Sequence, residues 1–564
     1  MHHLLIPAIF FMCTWLSVAQ STGAETDFMY PIDPPLVLSG TFGELRSNHF
    51  HSGLDIKTGG KIGARVYAAM DGYVSRIKIS HYGYGKALYV QHPSGHTTVY
   101  AHLKDFAPEI DAYVRKRQYT KESYEIELFP KAEELAVEKG KVIAYSGNSG
   151  GSGGPHLHFE IRDAKSRPIN PLLYGLEVKD TKKPLLKNLW VYSTDTKGHV
   201  RYGQKPYRLR LVRRKDGTYT SDPLPALGRI GFGVVATDRQ DLAANQNGLY
   251  RIRTTVNGQT NFETVMKKFS FAETRYINRL IDYGYFRKNR SRIQKLFIEP
   301  NNPLSIFENV IDKGYIDIRE GLSYTYKVEL YDYEENITMI EIPIIGATDQ
   351  PILKNEPNRT SFLAESGENF SASAGMFDVY IPKGALYEDI FLDIQDKGDT
   401  LYFHNEETPV HKYMSISLDA SAYNAEDRKQ MFIAELSKRG KPIFVKTTKK
   451  GSRFTARTRN FGRFTLAKDT EPPVISNLNF KDRKWISGYR YLKVSIGDEL
   501  SGIGSYRATL NGKFILMEYD YKTGKLIHDF NDNIATDGEN KFKLIVLDNI
   551  GNTATLEATF FRKN

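Results

Sequence analysis

Cysteine is nearly absent: Cys13 is the only one in 564 residues. A single thiol excludes an intrachain disulfide and a thiolate metal cluster, so a metal site in this chain must be built from imidazole nitrogen and carboxylate oxygen. Long apolar runs are equally scarce. The run from Leu4 to Ala19 ends in Ser17-Val18-Ala19, a small-x-small cleavage pattern, and reads as a signal peptide over residues 1–19, with His2 and His3 standing where Lys or Arg is usual. It is too short and too close to the terminus to read as a membrane span, so no transmembrane helix is expected after cleavage. Phe10, Phe11 and Met12 before Cys13 are a poor match to the small residues of a lipoprotein signal. Tryptophan is rare, at three residues, whereas tyrosine and phenylalanine number 35 and 31. Short runs of Val, Ile, Thr and Tyr recur between Gly, Asn, Asp and Pro, which favours strands over helices and a mainly β protein.

The length requires several domains. The formal charge of +11 suits a partner carrying anionic groups, such as cell-wall polymer, an outer-membrane surface or nucleic acid. The basic residues are scattered apart from Lys446, Lys449, Lys450, Arg453, Arg457, Arg459 and Arg463, which read as a solvated β face. The aromatic and basic stretch from Tyr276 to Arg292 could suggest nucleic-acid contact, but it reads better as a helical insertion packed on a sandwich, and no nucleic-acid partner is expected.

An internal repeat organises the second half. Asp180, Pro184, Asn188 and Leu189 recur at identical spacing as Asp469, Pro473, Asn477 and Leu478. The echo continues from Asp238, Tyr250-Arg251 and Asn257-Gly258 to Asp498, Tyr506-Arg507 and Asn511-Gly512, and from Asp332 and Asn336 to Asp548 and Asn552. These pairs predict two related Ig-like β-sandwich modules, residues 180–350 and 469–564. Alternation in 377–385, with a turn at Pro382-Lys-Gly384, and in 414–418 predicts a further β-rich module, 351–468, between them.

Eight of the fourteen histidines fall between His49 and His158. Alternation in Pro155-His-Leu-His-Phe-Glu-Ile161 places Leu157, Phe159 and Ile161 on one strand face and His156, His158 and Glu160 on the other. His51 and Asp55 flank Ser-Gly-Leu, and Gly53 with Ile56 argues for a turn entering a strand instead of a helical pair. A hairpin runs from Ala87 through the turn at Pro93-Ser-Gly95 to His102, with Thr98, Tyr100 and His102 expected on one face and Val99 and Ala101 on the other. His92 and His96 read as capped surface histidines at that turn. His49 competes with His51 as a ligand, although the Gly-x-Asp after His51 favours His51. The glycine-rich stretch 146–154 lacks the Lys-Ser/Thr of a P-loop and reads as a groove wall.

In order along the chain, Phe42-Gly43, His51-x-Gly53-x-Asp55-Ile56, Asp71-Gly72-x-Val74, Gly83-Tyr-Gly85, Tyr100-Ala-His102-Leu103, Gly140-Lys-Val-Ile143 and Gly147-Asn-Ser-Gly150 leading to Gly154-Pro-His156-Leu-His158-Phe159 resemble the LytM/lysostaphin-type zinc metallopeptidases. The resemblance covers about residues 40–172. It implies an N-terminal LytM-type antiparallel β-sheet peptidase domain over residues 20–178, followed by the three β-sandwich-like modules. It also implies one Zn²⁺ per chain held by His51, Asp55 and His158, with His102 and His156 beside the open position, contacting the water and the developing oxyanion. A charged, Tyr-rich insertion, about 106–139, departs from the family's compact form and is expected to border the cleft.

The implied activity is that of a metalloendopeptidase cutting the peptide cross-links of peptidoglycan, exported to the periplasm or cell envelope. Its partners would be peptidoglycan stem peptides and a cell-envelope protein reached through the C-terminal β modules. The alternatives are a non-catalytic wall-binding protein or activator of another hydrolase, and a surface adhesin with a vestigial peptidase domain.

Overall fold

The computed structural model describes residues 28–196, 198–348 and 359–563, so the signal-peptide reading of residues 1–19, with Cys13, lies outside the described residues. The protein is mainly β. The N-terminal unit contains β1 (Leu38–Gly40), β2 (Leu54–Lys57), β3 (Arg65–Tyr67), β4 (Gly72–Ile79), β5 (Lys86–Gln91), β6 (Thr97–Ala101), β7 (Leu103–Phe106), α1 (Pro108–Lys121), β8 (Ile126–Leu128), β9 (Ala136–Val137), β10 (Val142–Ser146), β11 (His156–Arg162) and β12 (Pro168–Ile169). The main sheet is antiparallel in the order β1-β2-β11-β6-β5-β4-β8, and β3, β10 and β7 form a second small sheet. As the alternation predicts, Leu157, Phe159 and Ile161 of β11 are fully buried in the core with Tyr100 of β6.

The 106–139 insertion forms α1, β8 and β9. The helix opens with proline in its first turn, where the missing N–H has no helical partner in any case, and ends at Glu122 in the left-handed conformation. Strands β8 and β9 both pair with β4, so the insertion extends the sheet edge remote from β2 and β11. Within it the Tyr124 ring stacks on His81, with centroids 5.4 Å apart.

The core of this unit does not stop at residue 178. Met266, Phe269, Ile277, Leu280, Ile281 and Phe286 are buried in the same cluster as Phe42, Phe50 and Phe159. Phe269 packs between Phe42 and Phe50 with centroids 5.0 and 5.4 Å away. The segment 276–292 is helical, with helices Ile277–Leu280 and Tyr283–Asn289. Its apolar side chains Ile277, Leu280, Ile281 and Phe286, however, close the core of the N-terminal unit.

Beyond it, residues 185–346 build a 13-stranded sheet, residues 370–468 two five-stranded sheets around one core, and residues 474–562 a four- and a five-stranded sheet around another. The repeat is structural as well as sequential. Asn257-Gly258 and Asn511-Gly512 each close a hairpin with positive φ at both residues (49° and 85°, 51° and 81°), the geometry that favours Asn-Gly. Asn257 Oδ1 accepts from Thr325 N at 2.8 Å, and Asn511 Oδ1 from Lys541 N at 2.8 Å.

The last unit folds back onto the first. Lys86 Nζ meets Glu518 Oε2 at 3.0 Å, Arg507 pairs with Glu122, and Lys522 Nζ donates to the carbonyls of Asn148 and Ser152.

Candidate metal centre

Strand register assembles the site. In the β2–β11 pair Asp55 lies directly opposite His158, and His156 lies opposite Lys57. His51 precedes β2 and is held by its backbone, which exchanges hydrogen bonds with Gly43 and Glu44. Three donor atoms converge: His51 Nε2 to Asp55 Oδ1 is 3.0 Å, His51 Nε2 to His158 Nδ1 is 3.1 Å, and His158 Nδ1 to Asp55 Oδ1 is 2.8 Å. All three residues are buried.

The opposite nitrogen of each ring is committed to an acceptor. His51 Nδ1 lies 2.8 Å from the Thr41 carbonyl, and His158 Nε2 lies 2.8 Å from Glu160 Oε1. Such partners fix the proton on the outer nitrogen and leave a lone pair facing inward, as in carboxylate–histidine–metal arrangements. Three inward donors so close together are an arrangement that could hold a metal cation between them. Their separations approach the roughly 3.3 Å between ligands in a tetrahedral zinc site with bonds of about 2.0–2.1 Å. The residues present therefore fit Zn²⁺, and none is a hard-cation-only donor set.

The electrostatics agree. Burial opposes charge on Asp55, but His51, His156 and His158 hold its carboxyl well below the usual range. Burial likewise opposes charge on His158, yet Asp55 and Glu160 at its two nitrogens raise its pKa to about 9. Glu160, fully buried, is kept charged against desolvation by Arg162 and His158. It accepts from Arg162 Nε at 2.6 Å, from Ser52 Oγ at 2.6 Å and from the Tyr84 hydroxyl. Arg46 Nη2 reaches the outer oxygen of Asp55 at 3.1 Å.

His156 and His102 stand beside the three donors. His156 Nδ1 is tied to the Gly154 carbonyl at 2.8 Å, and its Nε2 is 3.3 Å from Asp55 Oδ1. His102 Nδ1 is tied to the Ser149 carbonyl at 2.9 Å, with its ring 4.9 Å from that of His156. Burial, together with His158 and His156, pushes the His102 pKa down to about 3, so its ring stays neutral.

Alternation misplaces His102. Tyr100 does point into the core, where its hydroxyl accepts from Ala69 N at 2.8 Å, and a continued strand would send His102 after it. Instead β6 ends at Ala101 and His102 adopts φ 58°, which turns its ring onto the opposite face, toward His156 and His158. His49 is a bystander, bonded to the Ser47 carbonyl at 2.8 Å. His92 is no surface residue: it is buried between the Asp71 carbonyl and Thr98 Oγ1, 2.8 and 2.7 Å away, and pins the hairpin to the β3–β4 connection. His96 bonds the Tyr174 hydroxyl at 2.9 Å. Glu160, Ser52, Tyr84 and Arg46 gained no role from the sequence reading, although alternation already put Glu160 on the histidine face.

The groove wall is the loop from Gly147 to Gly154. It lies against the β4–β5 turn so closely that a Cβ on Gly150, which has φ 68°, would meet Gly85 N at 2.3 Å. Glycine is required there both by conformation and by space.

The comparisons accord with these elements. Residues 49–122 and 127–171 match the model of peptidase family M23, and residues 361–469 match a Zu5-like domain. The DD-carboxypeptidase/endopeptidase Mpg of Neisseria meningitidis is 31% identical over 132 residues, which are 23% of this chain and 24% of that protein. The peptidoglycan DD-endopeptidase ShyA of Vibrio cholerae is 29% identical over 149 residues, 25% of this chain and 28% of that protein. A zinc-containing peptidase from Vibrio cholerae of known structure is 28% identical, covering 27% of this chain and 39% of that one, with a TM-score of 0.19. The chain thus spans only about a quarter of the length of the curated relatives it matches. Within that span, residues 49–171 match peptidase family M23, and the relatives named support a LytM-type peptidase domain.

Proposed function

We propose that this chain is an exported zinc metalloendopeptidase that hydrolyses peptide cross-links of peptidoglycan, acting in the periplasm or cell envelope. The observation that carries the reading is the convergence of His51 Nε2, Asp55 Oδ1 and His158 Nδ1 within 3.1 Å of one another, each imidazole committed by its outer nitrogen. These residues would hold Zn²⁺, which when bound polarises the scissile carbonyl and acidifies water.

The remaining steps belong to the protein's own groups. His102 and His156 present their inward nitrogens on one side of the three donors. They are placed to take a proton from the attacking water, pass one to the departing amine, and donate to the oxyanion once protonated. Their outer nitrogens are anchored on main-chain carbonyls of one glycine-rich loop, so the two rings are oriented together. Tyr84, packed face to face on His158 with centroids 5.2 Å apart, keeps that ring from rotating.

Residues 20–178 would be the peptidase domain. The modules 180–350, 351–468 and 469–564, two of them Ig-like, would position it on the envelope or on a protein partner there.

The test uses the full chain with purified sacculi. The wild type should contain one zinc and release soluble muropeptides. His51→Ala and His158→Ala should lose both metal and activity, and hydrolysis unchanged in both variants would overturn the reading.

A further inference from the structure

The repeat of aspartates along the second half of the chain has a spatial counterpart. Asp180, Asp238 and Asp332 each direct a carboxylate oxygen to a common point, all within 4.8 Å of one another, and their repeat partners Asp469, Asp498 and Asp548 do the same. The two clusters differ in how those oxygens are used. In the second, Asp548 Oδ1 accepts from the backbone N–H of Ile550, Gly551 and Asn552 at 2.8, 2.6 and 2.9 Å, and Asp498 Oδ1 from Gly502 N at 2.5 Å. That cluster is satisfied by the protein.

The first cluster is satisfied only in part: Asp332 accepts from Asn336 N and Nδ2 at 2.9 and 2.7 Å and Asp180 Oδ1 from Lys182 N at 3.0 Å, which leaves Asp238. Asp238 is 2% exposed, and its Oδ1 has no hydrogen-bond partner among the described residues. Gln240, outside the carboxylate trio and 4% exposed, is also left with an unpartnered Oε1. Gln240 lines the same small cavity as Asp180, Asp238 and Asp332, a space of about 20 Å³. A buried polar oxygen without a partner is costly, and two beside one cavity point to a missing electropositive occupant. The nearby cation does not supply it: Lys182 Nζ is 3.0 Å from the Gln240 main-chain carbonyl and 3.9 Å from Asp241.

We propose that Asp180, Asp238, Asp332 and the Gln240 side-chain oxygen form a binding site for a hard divalent cation, Ca²⁺, at the junction between the N-terminal unit and the module that follows it. An all-oxygen set of three carboxylates and an amide, completed by water, is what Ca²⁺ takes and what zinc has little reason to prefer. The volume admits one ion, since a single water-sized occupant needs about 10–15 Å³.

The position gives the ion a consequence. Thr41 and Phe42 also line the cavity, and Thr41 exchanges hydrogen bonds with Gly248, its Oγ1 accepting from Gly248 N at 3.0 Å. The carbonyl of the same Thr41 orients His51. A cation here ties Asp180 of the connection, Asp238 and Asp332 of the module, and the Thr41 segment into one body, and so stiffens the support of a metal-site histidine from behind.

The experiment uses the full chain loaded with zinc and freed of other divalent ions. Terbium(III), a Ca²⁺ probe excited through tyrosine, should give sensitised emission because Tyr250 and Tyr333 line the cavity, and Ca²⁺ should quench it by competition. Ca²⁺ at millimolar concentration should raise Tm by at least about 3 °C, since a ligand that binds only the folded state stabilises it. Asp238→Asn should abolish both responses, and Gln240→Ala should weaken the terbium affinity several-fold with Tm in calcium-free buffer unchanged. Asp498→Asn, in the satisfied cluster, should leave both responses intact. Absence of any calcium-dependent change in the wild type overturns the proposal, as does emission that survives Asp238→Asn and disappears in Asp498→Asn. Because these readouts need no peptidase activity, they stand apart from the test of the zinc site.

Discussion

Two buried clusters sit on either side of Thr41, and they are built from different chemistry. On one side, two imidazoles and a carboxylate meet with a fully wired surround of Glu160, Arg162, Ser52 and Tyr84. On the other, three carboxylates meet at a domain junction with oxygens left over. The first is rigid because each donor belongs to a paired strand or is bonded to one. The second draws its members from a connection, a strand end and a hairpin turn, so its geometry depends on whatever holds those segments together. Donor type selects the metal, and the origin of the donors decides whether that metal reacts or braces.

Four changes would break or sharpen this contrast. Loss of a direct donor in the mixed cluster, by His51→Ala or His158→Ala, should have the largest effect. Removing a supporting partner alone costs about 10–100-fold in metal affinity, so removing a donor should cut hydrolysis by more than about a hundredfold. Turnover of defined muropeptide dimers measures it.

Next is the wedge between the clusters. Phe269→Ala should destabilise the protein by about 3–5 kcal/mol, because its fully buried ring closes the N-terminal core. Denaturant unfolding should show the N-terminal unit and its neighbour melting in one transition. Two independent transitions, with the N-terminal one unmoved, would separate the clusters that Thr41 appears in both of.

Third, Glu160→Gln should weaken zinc about 10–100-fold while leaving the fold intact, as read by competition with a chromogenic chelator. An unchanged affinity would mean that His158 is oriented by packing alone.

The smallest effect compares the repeated aspartates in calcium-free buffer. Asp548→Asn should destabilise by about 1–3 kcal/mol, since its new amide N–H₂ would face that of Asn552, which now donates to Oδ2 at 2.8 Å. Asp238→Asn should raise Tm, because it removes one of three facing carboxylates. Burial and the neighbouring Asp180 already push the Asp238 carboxyl up to about 8. A fall in Tm for both variants would erase the distinction between the clusters.

Much of the site is legible in the sequence wherever it depends on local period. The two faces of β11 follow from alternation, and His51 and Asp55 fall correctly at a turn entering a strand. The Asn-Gly turns and the aspartate positions of the repeat were readable because turn chemistry is local. His102 was not placed correctly by period, since one left-handed residue at the end of β6 reverses the face and leaves no trace in the alternation. The buried state of His92 escaped for a similar reason: its partners, the Asp71 carbonyl and Thr98, come from the β3–β4 connection and from β6. The continuation of the first core into residues 266–286 is a matter of long-range packing, for which no local pattern exists.

The return of the last unit onto the first sets an order of assembly. A chain made from its N terminus completes β11 hundreds of residues before Lys522 exists, yet the carbonyls of Asn148 and Ser152 in the groove wall are held by that lysine. The same wall anchors His102 and His156. The strands that carry His158 and Asp55 are thus complete in the chain early, whereas the loop that anchors His102 and His156 gains its lysine contact only once the last unit has been made.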